Sequence, residues 1–337
     1  MWSPPGPSLL TTFQELLRAQ QRFLLTGHEN PDGDCLGAET ALYHLLKALG
    51  KQVVICNPDP IGKAHDFLLQ HTPFGHVRGD QPLPPFDVAV LLDCSQLSRV
   101  GQLGERLRAS GKTIAVIDHH IGSDAGDGTV CYVDPKAAAT GALVRRLYRL
   151  FDVPLNAAAA EGIFLSLVSD TGWFRYSNAD AEVFAMASEL VAAGVDGSAV
   201  YDRLYRRNHP DCAALLADAL QRHRLRCGGR LAMVTLDKQL MERASRADFD
   251  TDAVLDPLRS LEGVEVVALI KERFDGGVKV SLRARADVDV QRVAAAFGGG
   301  GHKKAAGASI RMPTAEAEQA IEAEVLRALH AGGVKLP

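Results

Sequence analysis

His28-Glu29-Asn30-Pro31-Asp32-Gly33-Asp34 is the stretch whose reading decides the fold of this chain. It follows a short apolar run, Phe23-Leu24-Leu25, and precedes residues from Cys35 to Gly50 that carry helical spacing, so it reads as a strand-to-helix turn. In open parallel sheets such turns, at the carboxyl ends of strands, are where ligands bind. An imidazole and two carboxylates within one turn make a metal-site composition. The same letters also serve a plain Asn-Pro-Asp-Gly turn, in which Asp34 merely caps the next helix. The remainder of the chain separates the two readings.

Working outward, the pattern repeats. Leu42, Leu45, Leu46 and Leu49 form a helical stripe ending at Gly50, and Val53-Val54-Ile55 reads as the next strand. Val88-Ala89-Val90-Leu91-Leu92 is a continuous apolar run of the kind buried on both faces of a parallel sheet, and it stops at Asp93. Ile114-Ala115-Val116-Ile117 stops at Asp118-His119-His120. One strand ending in an acid is unremarkable. Three at the same end of successive βα units place their acids and imidazoles on one rim. Val130 to Val133 reads as a further strand, followed by helices near 137–151 and 156–169. The second helix runs into Asp170, a carboxylate set against the helix dipole, which a cation would compensate. Arg175 and Tyr176, just beyond, read as surface or packing residues as readily as site-lining ones.

A chain of 337 residues is longer than one core usually supports, so two α/β domains are expected. Residues 1–193 form a parallel-sheet domain with the metal centre, 194–228 a helical linker that includes a helix over 211–226, and 229–337 a smaller α/β domain. In the last, strands are expected at 231–236, 264–270 and 278–282, with helices near 252–261, 290–297 and 314–329. Its notable feature is Gly298-Gly299-Gly300-Gly301-His302-Lys303-Lys304. The four glycines read as a ligand-cradling loop rather than packing residues, their N–H groups offered to an anion beside His302. Arg283 and Arg285, at alternate positions of the preceding strand, are expected on one face near it.

With 47% hydrophobic residues, 23% charged residues and a net charge of -4, the composition is that of an ordinary soluble protein. The mildly acidic total argues against coating long nucleic acid by charge, so any nucleic-acid ligand is expected to be short. The six cysteines are dispersed, without metal-binding or small-domain disulfide spacing, and read as free thiols of a reducing compartment. No uninterrupted apolar stretch approaches a membrane span. A cytoplasmic protein with no membrane association and no obligate protein partner is expected.

His28, Asp32, Asp34, Asp93, His119 and Asp170, with Asp118 and His120 adjoining, would repel one another without cations. Oxygen and imidazole donors without thiolates suit Mn²⁺ better than structural zinc or calcium, with Mg²⁺ or another divalent ion as a substitute. Six side chains exceed the needs of one open site and suit two ions sharing a carboxylate, the arrangement that drives phosphoester hydrolysis.

Taken in order, His28-x-x-Pro31-Asp32-x-Asp34, Asp93, Asp118-His119-His120, Asp170-Thr171-Gly172 and Gly298 to His302 resemble the DHH/DHHA1 phosphoesterase family over nearly the whole chain. The resemblance is to its short-oligonucleotide hydrolases, the nanoRNases, and implies a DHH domain, a linker and a DHHA1 domain over the three segments above. It implies that His28 and Asp32 hold one manganese ion, that Asp34, His119 and Asp170 hold the other, and that Asp93 bridges them. Asp118 would orient an imidazole, and His120 would face the scissile phosphate as a donor. Arg283, Gly299, Gly300, Gly301 and His302 would grip the substrate. The implied substrates are short RNA, cleaved to 5'-mononucleotides, and 3'-phosphoadenosine 5'-phosphate. A phosphodiesterase for linear or cyclic dinucleotides is the alternative within the class, and a catalytically silent nucleotide-sensing module the alternative outside it.

Overall fold

The structure, a computed structural model, describes residues 7–77, 79, 81–120, 129–206, 209–285 and 287–335. They fall into two compact units that divide between residues 207 and 208, inside the stretch expected as linker.

The first unit is built on a six-stranded sheet: β1 (Arg22–Thr26), β2 (Gln52–Asn57), β3 (Phe74–His76), β4 (Val88–Leu92), β5 (Thr113–Asp118) and β6 (Val130–Val133). The order is β3-β2-β1-β4-β5-β6 and every pairing is parallel. From β1 the chain moves outward to β2 and β3, then returns to lay β4 on the other side of β1. The switch in winding direction therefore lies between β1 and β4, the position at which open α/β sheets bind their ligands. β1, β4 and β5, whose ends carry the acids and imidazoles, are consecutive in space as well as buried.

Among the described residues seven α-helices accompany this sheet: α1 (Pro7–Ala19), α2 (Gly33–Ala48), α3 (Gly101–Ala109), α4 (Thr140–Leu150), α5 (Ala157–Asp170), α6 (Ala181–Ala192) and α7 (Gly197–Tyr205). Leu25, Val90 and Ile117 point from the strands into one core with Leu42 and Leu46 of α2, Leu143 and Leu147 of α4 and Ile163 and Leu167 of α5. On the opposite face Leu24, Leu91 and Val116 pack against Leu103 and Leu107 of α3. That alternation is why these strands read as uninterrupted apolar runs. α3, α7 and β3 escape the sequence reading, being short and largely polar or exposed.

α2 and α5 touch backbone to backbone. A Cβ at Gly37 would stand 2.3 Å from the carbonyl oxygen of Gly162. Asp34 lies three residues before Gly37, while Ser166 and Asp170 follow Gly162 at successive four-residue steps, so the crossing brings all three to one place. α6 is fastened to α4 by ion pairs of Arg145 with Glu189 and of Arg146 with Glu182, the latter at 3.0 Å. No single helix among the described residues is long and apolar enough to cross a membrane.

The second unit opens with α8 (Asp211–Gln221) and then β7 (Arg224–Arg226), β8 (Leu231–Leu236), α9 (Lys238–Arg246), α10 (Leu255–Arg259), β9 (Val266–Glu272), β10 (Val278–Ala284), α11 (Val290–Ala295), β11 (Gly300–His302), β12 (Ala305–Ile310) and α12 (Thr314–Ala331). Its sheet runs β11-β12-β10-β9-β8-β7, parallel only between β8 and β9. The helix expected over 211–226 stops at Gln221, because Arg224–Arg226 pairs along the edge of β8 instead.

The glycine-rich stretch is also corrected: it is not simply a loop. Gly300–His302 is an edge strand, and Gly299 and Gly301 are packing residues after all. A Cβ at Gly299 would stand 2.2 Å from the carbonyl oxygen of Gly307, and one at Gly301 2.5 Å from that of Ala305. They let the strand close on β12. Gly298 and Gly300, with nothing near their Cβ positions, have the open surroundings expected of the whole run.

Candidate metal centre

α2 starts where the opening stretch ends, and its first turn distributes roles that the sequence left undivided. Asp32 is the helix cap: its Oδ1 accepts from the backbone N–H of Asp34 and of Cys35, at 3.0 and 3.1 Å. Asp34 is therefore released from capping and points inward, with no exposed surface. Its carboxylate accepts from the N–H groups of Thr140 and Gly141 at 2.8 and 3.2 Å, and from the Ser166 hydroxyl at 2.5 Å. The N-terminus of α4 thus faces a carboxylate, which its orphan N–H groups and dipole favour.

Asp93 stands just past β4 at the centre of the cluster. Its φ of 59° is left-handed, a conformation tolerated by few residues other than glycine, and it is 3% exposed. Such strain in a buried acid is held only where surroundings over-determine it. Here the Asp93 N–H donates to the Ile117 carbonyl at 3.0 Å, and the Thr140 hydroxyl donates to Oδ1 at 3.1 Å. Oδ2 lies 3.4 Å from His28 Nε2, and Oδ1 lies 3.5 Å from His119 Nε2 and 3.6 Å from His120 Nδ1.

The imidazoles are oriented from behind. His28 Nδ1 is 2.8 Å from the Glu29 carbonyl and His119 Nδ1 is 3.2 Å from the Ala137 carbonyl, contacts that assign the proton to Nδ1 and turn Nε2 toward the acids. His119 Nε2 lies 3.0 Å from Asp170 and 3.4 Å from Asp34, yet it is buried without a hydrogen bond among the described residues. A buried nitrogen lacking a donor or acceptor partner but ringed by carboxylate oxygens fits a cation. His120 differs: its Nδ1 is 2.7 Å from Asp118, whose other oxygen accepts from the Ser95 hydroxyl. Asp118 is thereby committed to holding His120.

Three groups have ligand atoms close enough to share an ion: His28 with Asp32 and Asp93, Asp34 with His119 and Asp170, and Asp93 with His119 and His120. All eight first-unit site residues expected from the sequence meet here. Electrostatics agree with missing positive charge. Burial pushes the Asp34 carboxyl well above the usual range, and the Asp93 and Asp170 charges push it further. Burial would depress the two histidines, but Asp93, the Glu29 carbonyl and Asp32 lift His28 to about 8, and Asp170, Asp93 and Asp34 lift His119 to about 11. The cluster thus draws protons onto Asp34, His28 and His119 where no cation neutralises it, while, against its burial, those imidazoles hold the Asp93 carboxyl well below the usual range. Burial raises the Cys35 and Cys94 thiols, and neither belongs to a candidate ligand group among the described residues.

Four supporting residues escape the sequence reading: Thr140, Gly141, Ser166 and Ser95. Thr140-Gly141 at a helix start and Ser166 four residues before Asp170 carried the available signals. A fifth, Glu39, lies fully buried behind the turn, accepting from Asn57 Nδ2 at 2.9 Å, while Asn57 Oδ1 accepts from the Gly27 N–H. Burial pushes its carboxyl up to about 8 against the Asn57 hydrogen bond. An acid with a raised folded pKa releases its proton first when unfolded, so stability falls as pH rises from about 4.5 to about 8. In metal-free protein, Glu39→Gln is expected to gain on wild type by a few kcal/mol between pH 5 and 8. Urea unfolding across that range measures it, and a constant difference would refute the assignment.

In the second unit, Arg283 on β10 pairs with Ala305 on β12, and Ala305 pairs with His302 on β11. Directly opposed residues share a sheet face, so Arg283 and His302 flank the small Ala305 in one cross-strand row. Arg283 also lies 3.8 Å from Asp252. Arg285, expected beside it, falls beyond the end of β10.

Comparison with known proteins agrees with this architecture. Residues 22–167 match the DHH family, N-terminal domain, and residues 240–331 match the DHHA1 domain. The bifunctional oligoribonuclease and PAP phosphatase NrnA of Thermus thermophilus is 33% identical over 88% of this chain and 87% of its own length. The protein of the same name from Mycoplasma genitalium is 25% identical over 86% of this chain and 88% of its own. Among solved structures, an exopolyphosphatase-related protein from Bacteroides fragilis superposes with a TM-score of 0.87, covering 99% of this chain and 100% of that one at 22% identity. With both domains in order and a relative matched nearly end to end, the chain belongs to the DHH/DHHA1 family of phosphoesterases, among its NrnA-type members.

Proposed function

We propose that this protein is a two-metal phosphodiesterase that hydrolyses short oligoribonucleotides to 5'-mononucleotides and also dephosphorylates 3'-phosphoadenosine 5'-phosphate. The observation that carries the chemistry is Asp93, a strained buried acid whose two oxygens face different histidines. The substrate class rests on the NrnA relatives, whose names give those two activities.

In this reading His28, Asp32 and Asp93 would hold one divalent cation, and Asp34, His119 and Asp170, with Asp93 again, would hold a second. The cations are Mn²⁺, with Mg²⁺ as the closest substitute. When bound, such a pair polarises phosphoryl oxygens and activates water for in-line displacement. Thr140, Gly141 and Ser166 fix the Asp34 oxygens and so the spacing of the two halves. His120, its Nδ1 engaged by Asp118, directs Nε2 outward as a donor to a phosphoryl oxygen, where charge accumulates in the transition state. Water oxygen bonds to phosphorus, the bond to the 3'-oxygen breaks, and that oxygen takes up a proton. Arg283 and His302, with Gly299, Gly300 and Gly301 setting β11 beside β12, are the substrate contacts of the second unit. Short RNA is the partner, and the site of action is the cytoplasm.

The test is product analysis of the manganese-loaded protein on a 5'-phosphorylated dinucleotide, a longer oligomer, the bisphosphate nucleotide, a cyclic dinucleotide and pyrophosphate. Release of 5'-mononucleotide from the dinucleotide, with slower turnover of long oligomers, is expected. Preference for pyrophosphate or long oligomers would refute the substrate class, and binding without turnover of any of them would establish a silent sensor instead.

A further inference from the structure

Beyond Asp170 the chain does something costly. Gly172, Trp173 and Phe174 take φ values of 55°, 56° and 63°, three consecutive left-handed residues of which two are bulky aromatics. The surrounding structure holds them there. The Trp173 indole N–H donates to the Tyr205 hydroxyl at 3.1 Å and its ring meets Tyr201 edge-on with centroids 5.0 Å apart. Phe174 stacks on Phe184 at 5.5 Å and meets Phe164. The turn is thus wedged into position by both aromatics.

Its product is the placement of the next two side chains. Arg175 and Tyr176 are exposed, yet neither is loose. The Tyr176 ring lies so close over Gly172 that a Cβ there would stand 2.4 Å from it. Arg175 Nε donates to the Gly172 carbonyl at 2.7 Å, and its guanidinium sits 5.9 Å from the Tyr176 ring centroid. Downstream, Asn178 Nδ2 donates to the carbonyls of Asp170 and Ala138 at 3.1 and 3.2 Å. Ala138 adjoins the carbonyl that orients His119. Both ends of the 172–177 segment are therefore tied to the frame of the metal centre, and the segment carries a braced cation and a braced aromatic ring.

We propose that Tyr176 and Arg175 form a nucleotide subsite of the first unit, in which the tyrosine ring stacks on a substrate base and the guanidinium binds the adjoining phosphate. The assignment rests on the proposed phosphodiesterase reading and adds a contact to the base within the catalytic unit itself. Stacking on an aromatic face is tolerant of base identity, and an ordered ring loses little entropy on binding. Arginine suits the partner role because its planar fork engages phosphate oxygens.

Calorimetric titration of the manganese-loaded, full-length protein with AMP and with ribose 5-phosphate tests this. Wild type should bind AMP more tightly than the base-free sugar. Tyr176→Leu, which keeps apolar bulk over Gly172, should weaken AMP about tenfold and leave ribose 5-phosphate unchanged, whereas Tyr176→Phe should retain AMP affinity. Arg175→Ala should weaken both ligands. The subsite is refuted if wild type does not distinguish the two, if Tyr176→Leu binds AMP like wild type, or if that variant loses both alike. Because the readout is binding of a product-sized ligand, it stands apart from the turnover that tests the phosphodiesterase reading.

Discussion

Replacing Asp93 by alanine is expected to lower kcat/KM on a 5'-phosphorylated dinucleotide by about 10³-fold or more, the loss that follows when several kcal/mol of metal-dependent transition-state stabilisation are removed. The size of the effect follows from position. Asp93 belongs to two of the three candidate ligand groups, and its two oxygens separately approach His28 and His119. Removing it deprives both halves of the centre at once. Asparagine is the informative second variant, because it is among the residues that best tolerate the left-handed backbone at φ 59° and keeps a side chain for the Thr140 hydroxyl. If charge is what matters, Asp93→Asn should fold as well as wild type and be nearly as inactive as alanine. Steady-state kinetics with thermal melts distinguish this from collapse of the fold, and activity within tenfold of wild type in the asparagine variant would refute the role assigned to Asp93.

Stripping divalent cations with a chelator should abolish turnover and lower the melting temperature, both restored by Mn²⁺. The acids Asp34, Asp93 and Asp170 crowd the buried His119 Nε2, which makes no hydrogen bond among the described residues. Without cations, that crowding holds protons on His119 up to about pH 11. Cations that bind only the folded chain stabilise it by mass action, about 2.7 kcal/mol at a hundredfold excess over Kd. A titration of melting temperature against Mn²⁺ concentration measures this directly. The same titration on Asp34→Asn should be flattened, since that residue holds one group of ligands while Thr140, Gly141 and Ser166 hold it. A melting temperature indifferent to the ion would show that the cluster is neutralised by protons alone.

Much of this centre was legible in the linear chain, and the reason is topological. A parallel strand buried on both faces must be apolar throughout, so the first polar residue after it marks the sheet's carboxyl edge. Asp93 and Asp118-His119-His120 are such first residues, and His28 follows two residues after Thr26 ends its strand, which put them all on one rim. The resemblance to known phosphoesterases then divided roles among them. Other features had no linear signal. The division of labour between Asp32 and Asp34 depends on which carboxylate the helix start turns outward. Thr140 and Ser166 matter because α4 and α5 bring them to Asp34, more than a hundred residues away in the chain. Gly299 and Gly301 read as a ligand cradle until the closeness of β12 gave them a packing role.

By itself, then, the sequence determined the α/β class, the two-domain order and the identity of the acids and imidazoles that end the strands. These follow from local hydrophobic patterning and from side-chain chemistry, which act over a few residues. Tertiary structure alone decided that β1 and β4 are neighbours, that α2 and α5 cross at Gly37 and Gly162, and that Asp93 adopts a left-handed backbone between two histidines. Those outcomes rest on long-range strand pairing and on backbone contact between distant glycines, and neither is written in any single stretch of the chain.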